Sequence, residues 1–321
     1  MTTTDTSHLS LVPVPDAHEK ELTPDDVRLG YYDGPNKAAV ADARKIDLPT
    51  GSVGLIVTSP PTVNELAEID DVGKAGAWGN YRSFLQTVCN EMWRVLEPGG
   101  RFALVINPTA ESPHLPVAPY SVNALQIAGF TIRGEVVWAK SDIPLPLNAG
   151  VLRGPHNPPI VGVTERIITA SKLTDHRRAS PSERRVVGMP SENGISPEQW
   201  AANRLDIWTI AAPPPGELIH DAQFPVELAS RLIQTHTYDG ELVCDPMCGT
   251  GTTAIAAARL GRRYVISDID PHQVDLAQQR LKAHAHNERP SETITETTRR
   301  HPSATTQPDP DDFNQLGLDF T

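Results

Sequence analysis

The sequence predicts an α/β protein built on a doubly wound, mostly parallel sheet, and three strings carry that expectation. The first is Glu241-Leu242-Val243-Cys244, an apolar run after the Asp239-Gly240 turn signal. It leads through Asp245-Pro246-Met247-Cys248-Gly249-Thr250-Gly251-Thr252-Thr253 into the Ala-rich stretch Ala254 to Arg259. That order reads as strand, glycine turn and helix. The second string, Tyr264-Val265-Ile266-Ser267, is a strand pattern ending at Asp268, where a doubly wound fold places the acid that grips ribose hydroxyls. The third, Ser52-Val53-Gly54-Leu55-Ile56-Val57, is a buried-strand pattern that stops at Thr58-Ser59-Pro60-Pro61.

The remaining elements follow in chain order. Residues 1–30 lack periodicity and carry Pro13, Pro15 and Pro24, so they read as a poorly ordered lead-in to a domain over residues 31–286. Lys37 to Asp42 gives a short strand-like segment. Tyr81 to Leu96 places Phe84, Leu85, Val88, Met92, Val95 and Leu96 at helical spacing, and Pro98-Gly99-Gly100 ends that helix. A strand at Arg101 to Ile106 follows, then a helix around Ser121 to Ala128 and a strand at Thr131 to Ala139. Another strand, Arg166 to Ala170, ends near Lys172. From Leu173 to about Asn203 the pattern breaks into Pro, Ser, Arg and Gly. Phe224-Pro225-Val226-Glu227-Leu228 then opens a helix-like run to Ile233. Residues 287–321 begin with a stretch low in apolar residues and rich in Thr, Pro and Asp, which predicts a disordered tail.

A net charge of −12 over 321 residues is unusual for a nucleic-acid binder, but it is unevenly spread. Residues 1–30 hold six acids against two bases and residues 287–321 seven against three, so the two ends carry −8 of the total. Between them, Arg166 to Val186 concentrates Arg166, Lys172, Arg177, Arg178, Arg184 and Arg185 against Asp175 and Glu183. That run is either a phosphate-contacting patch or a solvated charged loop. Cys89, Cys244 and Cys248 have no metal-ligand spacing and form an odd set, which suits a reduced cytoplasm and predicts no metal. No apolar run reaches membrane-span length, and the polar start is no signal peptide.

The two turns carry the chemistry. Gly249 and Gly251 have no Cβ, and the helix start beyond them leaves free N–H groups, so backbone can approach a ligand closely. No lysine follows Gly251, which argues against a triphosphate P-loop, whereas Asp268 argues for a ribose-bearing ligand. At the other turn, two consecutive prolines fix φ and remove two N–H donors, so the strand stops with its carbonyls uncommitted. Ser59 Oγ and the Pro60 carbonyl are two acceptors able to hold the hydrogens of an amine.

Together, Thr58-Ser59-Pro60-Pro61 and Asp245-Pro246-Met247-Cys248-Gly249-Thr250-Gly251-Thr252-Thr253, followed by Gly261-Arg262-Arg263-Tyr264, resemble the two halves of a DNA amino-methyltransferase. The Ser-Pro-Pro turn precedes the glycine turn, as in the permuted class of that family; RNA and protein methyltransferases of this fold carry the reverse order. The resemblance covers roughly residues 36–284 and implies a Rossmann-like S-adenosylmethionine-dependent fold with a small target-recognition insert. It implies that Asp245, Gly249 and Gly251 border the methionine part of the cofactor, with Thr58, Pro246 and Thr252 nearby. Asp268 then holds the ribose, Phe224-Pro225 closes over the methionine end, and Asp42 meets the adenine amine unless it is a plain strand-end acid. Ser59, Pro60 and Pro61 form the catalytic turn on a flipped base of double-stranded DNA. A Ser in first position goes with cytosine N4 targets more often than adenine N6.

The family pattern has an aromatic residue where this chain has Thr62, which removes a stacking contact with the base worth roughly 1–3 kcal/mol. Trp78 and Tyr81 are the candidates to stack instead; the alternative is that both pack at a helix start. The resemblance places target recognition at about 140–206, with Lys172, Arg177, Arg178, Arg184 and Arg185 on DNA and the loop holding His156 and Asn157 sharing the task. A cognate restriction endonuclease is a further partner such a family can have. Gln315-Leu316-Gly317-Leu318-Asp319-Phe320 resembles the peptide by which bacterial proteins dock on the sliding clamp, or is a chance match. The rival readings are methylation of RNA or protein, and a weakened cofactor-binding DNA regulator.

Overall fold

A computed structural model describes residues 34–71, 74–106, 115–141, 162–174, 176–177, 179–212 and 223–287. The chain divides into residues 1–285 and 286–321, and the fold below is that of the first unit. The lead-in at 1–30, the loop with His156 and Asn157, Arg178 and the clamp-like peptide lie outside the described residues.

Eight strands form one sheet in the order β1-β8-β7-β2-β3-β5-β4-β6. They are β1 (Lys37–Val40), β2 (Val53–Thr58), β3 (Leu96–Ile106), β4 (Phe130–Ser141), β5 (Thr164–Lys172), β6 (Ile207–Ala211), β7 (Leu242–Asp245) and β8 (Arg263–Asp268). β5 runs antiparallel to its neighbours β3 and β4, while every other pairing is parallel. The mostly parallel, Rossmann-like architecture expected from the sequence is the one observed. The glycine-turn strand β7 lies directly beside β2, the strand that ends in Ser-Pro-Pro, with Leu55 opposite Val243.

All six residues of β2 are buried, because helices cover both faces of the sheet. Alternation along the strands assigns the faces. Ile56, Phe102 and Leu104 pack under α2 (Lys74–Val95) and α3 (Val117–Ile127), against Leu85, Met92 and Leu125. Leu55, Val57, Ala103 and Val105 face α6 (Val226–His236) and α7 (Thr252–Arg259), against Leu228, Leu232 and Ala256. Each of the Val, Leu, Ile, Met and Phe side chains contributes about 1.5–3 kcal/mol on burial, so the central strands fix the frame that carries both turns.

Several elements depart from the sequence expectation, which also names no element at β6 or over residues 271–287. Pro98-Gly99-Gly100 does not separate helix from strand: β3 already pairs at Leu96 opposite Val53, and the three residues form an irregularity before Arg101 pairs with Leu55. A helix α1 (Val63–Ile69) follows the prolines directly, with Thr62 as its N-cap. The stretch after Leu173, expected to be irregular, holds α4 (Pro181–Val186) and α5 (Pro197–Asn203), each begun by a serine capping box. α8 (Pro271–Asn287) completes the fold.

Candidate active site

A cavity of about 440 Å³ opens at the C-terminal ends of β1, β2, β7 and β8, within the size range of small-molecule sites. Parallel strands deliver their following loops to one end of a sheet, so the Ser-Pro-Pro turn, the glycine turn and the acid after β8 converge there. Ser59, Pro60 and Pro61 line one wall, and Pro246, Gly249, Thr252 and Asp268 line another.

The glycine turn is locked to Asp268. Gly249 N donates to Asp268 Oδ2 at 2.8 Å, and Asp270 N donates to Oδ1 at 3.0 Å, so the carboxylate is oriented by backbone while it borders the cavity. Gly249 (φ +48°) has nothing within 4 Å of where a Cβ would stand. Gly251 (φ +81°) is the N-cap of α7, and a Cβ there would come within 2.8 Å of the Ala277 Cβ on α8. The two glycines therefore serve different ends: open space beside the cavity at Gly249, and close helix packing at Gly251.

Asp245 is 1% exposed, and its carboxylate accepts from Thr58 Oγ1 (2.7 Å), Thr253 Oγ1 (2.6 Å) and Met247 N (3.3 Å). Burial pushes its pKa up to about 6 despite these donors. On the cavity wall just after β1, Asp42 accepts from Arg44 Nε at 3.0 and 2.9 Å and from Arg44 N at 2.8 Å. Burial opposes ionisation of Asp42, but the Arg44 hydrogen bonds outweigh it and hold the carboxyl below its usual value.

The residues fit a nucleoside-bearing cofactor. The wall offers carboxylates at Asp42 and Asp268 and an open backbone at Gly249. Gln273, which also lines the cavity, has a buried Oε1 without a hydrogen-bond partner among the described residues.

A family profile describing DNA methylases of the N6/N4 type matches residues 53–279, well over half the chain. The chain belongs to this family. Among curated methylases it resembles the type II methyltransferase M.MthZI of Methanothermobacter thermautotrophicus, at 27% identity over 73% of each chain. M.BglII of Bacillus subtilis is 24% identical over 74% of this chain and 65% of its own. Among solved structures, TTHA0409 of Thermus thermophilus matches with TM-score 0.60 and 29% identity, covering 78% of this chain and 95% of that one. TTHA0409 complexed with S-adenosyl-L-methionine matches at TM-score 0.57 and 28% identity, covering 78% and 94%. PvuII DNA methyltransferase, described as cytosine-N4-specific, shares the fold at TM-score 0.57 and 18% identity, covering 78% and 88%. The fold is that of S-adenosylmethionine-dependent DNA methyltransferases.

Several residues of this methylase stand elsewhere than the sequence reading places them. Asp42, Ser59, Pro60, Pro61, Phe224, Pro246, Gly249, Thr252 and Asp268 line the cavity. Thr58, Pro225, Asp245 and Gly251 do not; Asp245 and Thr58 bond to each other beneath the turns. Thr62 accepts from Glu65 N at 3.2 Å while Thr62 N donates to Glu65 Oε2 at 2.6 Å, a capping box, so this position starts a helix instead of presenting a ring. Trp78 and Tyr81 stack on each other with centroids 5.9 Å apart, and Tyr81 is 1% exposed, which is the packing alternative. Sequence reasoning missed Arg44, Glu65, Gln223, Thr250 and Gln273 on the cavity wall. Only Glu65 had a readable signal, the Thr62-x-x-Glu65 spacing.

The basic patch is also corrected. Lys172 is buried and donates from Nζ to Leu96 O at 2.7 Å. Arg177 bridges Glu97 and Glu241, meeting Glu241 at 2.8 Å, and Arg184 is 5% exposed and meets Glu241 at 2.9 Å. Arg177 and Arg184 thus neutralise buried acids and Lys172 satisfies a buried carbonyl, so none of the three is turned to solvent; of the two remaining cations, Arg185 is exposed and Arg178 lies outside the described residues. Because β5 is antiparallel, its end at Lys172 and the segment beyond it lie at the end of the sheet away from Ser59. Arg262 Nη2 donating to Asn193 O (2.9 Å) holds that segment beside the start of β8. Among the described residues no helix is long and apolar enough to cross a membrane, and none of the His, Cys, Asp and Glu groupings could hold a metal ion.

Proposed function

We propose that this DNA methylase uses S-adenosylmethionine to methylate the exocyclic amine of a flipped base, N4 of cytosine, in a specific sequence of double-stranded DNA. One observation carries the reading: Ser59-Pro60-Pro61 and the turn residues Pro246 to Thr250 and Thr252 follow neighbouring strands and line one cavity. Asp268 accepts from the ribose and Asp42 from the adenine amine, so the cofactor lies along the cavity towards Ser59. When bound, it supplies an electrophilic methyl group on a sulfonium. Ser59 Oγ and the Pro60 carbonyl accept the hydrogens of the target amine, which favours a tetrahedral nitrogen and stabilises the positive charge that develops there. A base inside a duplex cannot reach a recessed turn, so the nucleotide has to leave the stack.

The choice of N4-cytosine over N6-adenine rests on Ser59 in place of an acid. N6-adenine is the second reading, since the family profile spans both amines. The order of the two turns supports the permuted class. Of the 140–206 region, the strand ends Ser141 and Thr164 lie at the cavity end of the sheet, so recognition belongs on that side. Incubation with labelled S-adenosylmethionine and separate DNA, RNA and protein pools tests the substrate class: label enters DNA, and label in RNA or protein alone removes the reading. Gln315 to Phe320 stays in the proposal as a clamp-docking peptide; deleting residues 313–321 abolishes clamp co-purification and spares activity on short duplexes.

A further inference from the structure

The cavity-lining Gln223 has its side chain set by a relay that begins behind the glycine turn. Arg280 on α8 donates from Nη1 to the Thr250 carbonyl and to Thr250 Oγ1, both at 2.6 Å. A guanidinium only donates, so the Thr250 hydroxyl directs its single hydrogen to Gln223 Oε1, 3.1 Å away. Thr250 is 3% exposed, which keeps water from competing. With Oε1 accepting, Gln223 Nε2 presents hydrogens that no described residue accepts.

Position and charge identify what Nε2 would meet. Asp268 marks the ribose end of the cavity, and Ser59 with Pro60 marks where a reacting methyl must lie. The amino-acid end of the cofactor therefore extends to the wall made by Gln223, Phe224 and Thr250. That wall belongs to a cavity lined by Asp42, Glu65, Glu68, Asp70, Asp268 and Asp270; among the described residues its one lysine or arginine is Arg44, turned towards Asp42. An ammonium and a sulfonium are comfortable there, but a carboxylate needs dedicated donors.

We propose that Gln223 Nε2 binds the α-carboxylate of S-adenosylmethionine, and that Arg280 is a positioning residue acting through Thr250. The inference rests on the reading of this cavity as the cofactor site. Titration calorimetry of the full chain with S-adenosylmethionine and with decarboxylated S-adenosylmethionine tests it. The preference for the carboxylated donor falls about tenfold in Gln223→Ala, as expected for a hydrogen bond to a charged group. Gln223→Glu lowers it further by like-charge repulsion, while decarboxylated donor binds both variants within about twofold of wild type. Thr250→Val, which breaks the relay without removing the amide, shifts the preference the same way to a smaller degree. An unchanged preference in both Gln223 variants overturns the proposal alone; a wild-type protein that binds neither donor overturns the cofactor reading and this proposal with it.

Discussion

Thr58 Oγ1 donates a 2.7 Å hydrogen bond to Asp245 Oδ1, joining the last residue of β2 to the last residue of β7 across 187 positions of chain. Through it the Ser-Pro-Pro turn and the glycine turn share a buried anchor. Thr58→Val removes one of three donors from a buried carboxylate and costs about 1–3 kcal/mol of stability. Urea unfolding reads that loss, and methyl transfer falls with it because the two turns lose their common reference. A variant as stable and active as wild type would show that the anchor is dispensable.

Asp245 gives the protein a pH dependence of known sign. Its folded pKa of about 6 lies above its unfolded value, so the folded state binds the proton more tightly. Its contribution to stability is full below about pH 4 and is lost as pH rises through about 6, a change of about 3 kcal/mol. Asp245→Asn cannot titrate. The stability of wild type relative to this variant therefore declines between about pH 4 and 7 in equilibrium unfolding, and a flat difference contradicts the assignment.

Gly249 and Gly251 separate binding from folding. Gly251→Ala forces a Cβ to within 2.8 Å of the Ala277 Cβ at φ +81° and costs about 2–4 kcal/mol, combining overpacking with left-handed strain. Gly249→Ala meets open space, costs about 1–2 kcal/mol, and weakens cofactor binding by intruding on the cavity. Thermal unfolding and calorimetry on the two variants distinguish these effects; equal losses of stability would mean the turn is not divided this way.

Arg177→Ala leaves Glu97 and Glu241 buried beside each other and costs about 3–5 kcal/mol. Burial already raises the Glu97 pKa in the intact network. Arg185→Ala, at an exposed position, leaves stability within about 0.5 kcal/mol. Duplex affinity measured against salt then shows whether Arg185 touches phosphate: the slope falls by about one if it does. If Arg177→Ala instead folds normally and loses DNA binding, the buried ion-pair assignment is wrong.

Ser59→Ala lowers kcat for methyl transfer roughly ten- to a hundredfold, consistent with loss of one acceptor on the amine, and leaves cofactor affinity unchanged. Single-turnover kinetics with labelled donor measure the first and calorimetry the second. Equal transfer rates would remove Ser59 from the chemistry.

Both turns and the strands that carry them were legible because each of these strands is an apolar run closed by Pro or Asp: β2 at Ser59-Pro60, β7 at Pro246 and β8 at Asp268; β6, a five-residue strand with alternating exposure, gave no such signal. α1 was not, because it follows two prolines immediately and has only seven residues; its capping pair Thr62 and Glu65 was the sole local signal. Thr62 was read against a family pattern, which obscured its role as a cap. The basic run misled for a different reason. Local charge shows in sequence, but Glu97 and Glu241, the acids that consume it, come from distant parts of the chain. Asp245 and the Arg280–Thr250–Gln223 relay were hidden likewise, since burial and partner choice arise only once β2, β7 and α8 meet.

Mass spectrometry of nucleosides from double-stranded DNA incubated with the protein and S-adenosylmethionine tests the central claim most directly. The expected product is N4-methyldeoxycytidine, strongly reduced in the Ser59→Ala reaction over the same interval. N6-methyldeoxyadenosine as the sole product would contradict the assignment of the target base, and DNA without any methylated amine would contradict the role given to the Ser59-Pro60-Pro61 turn.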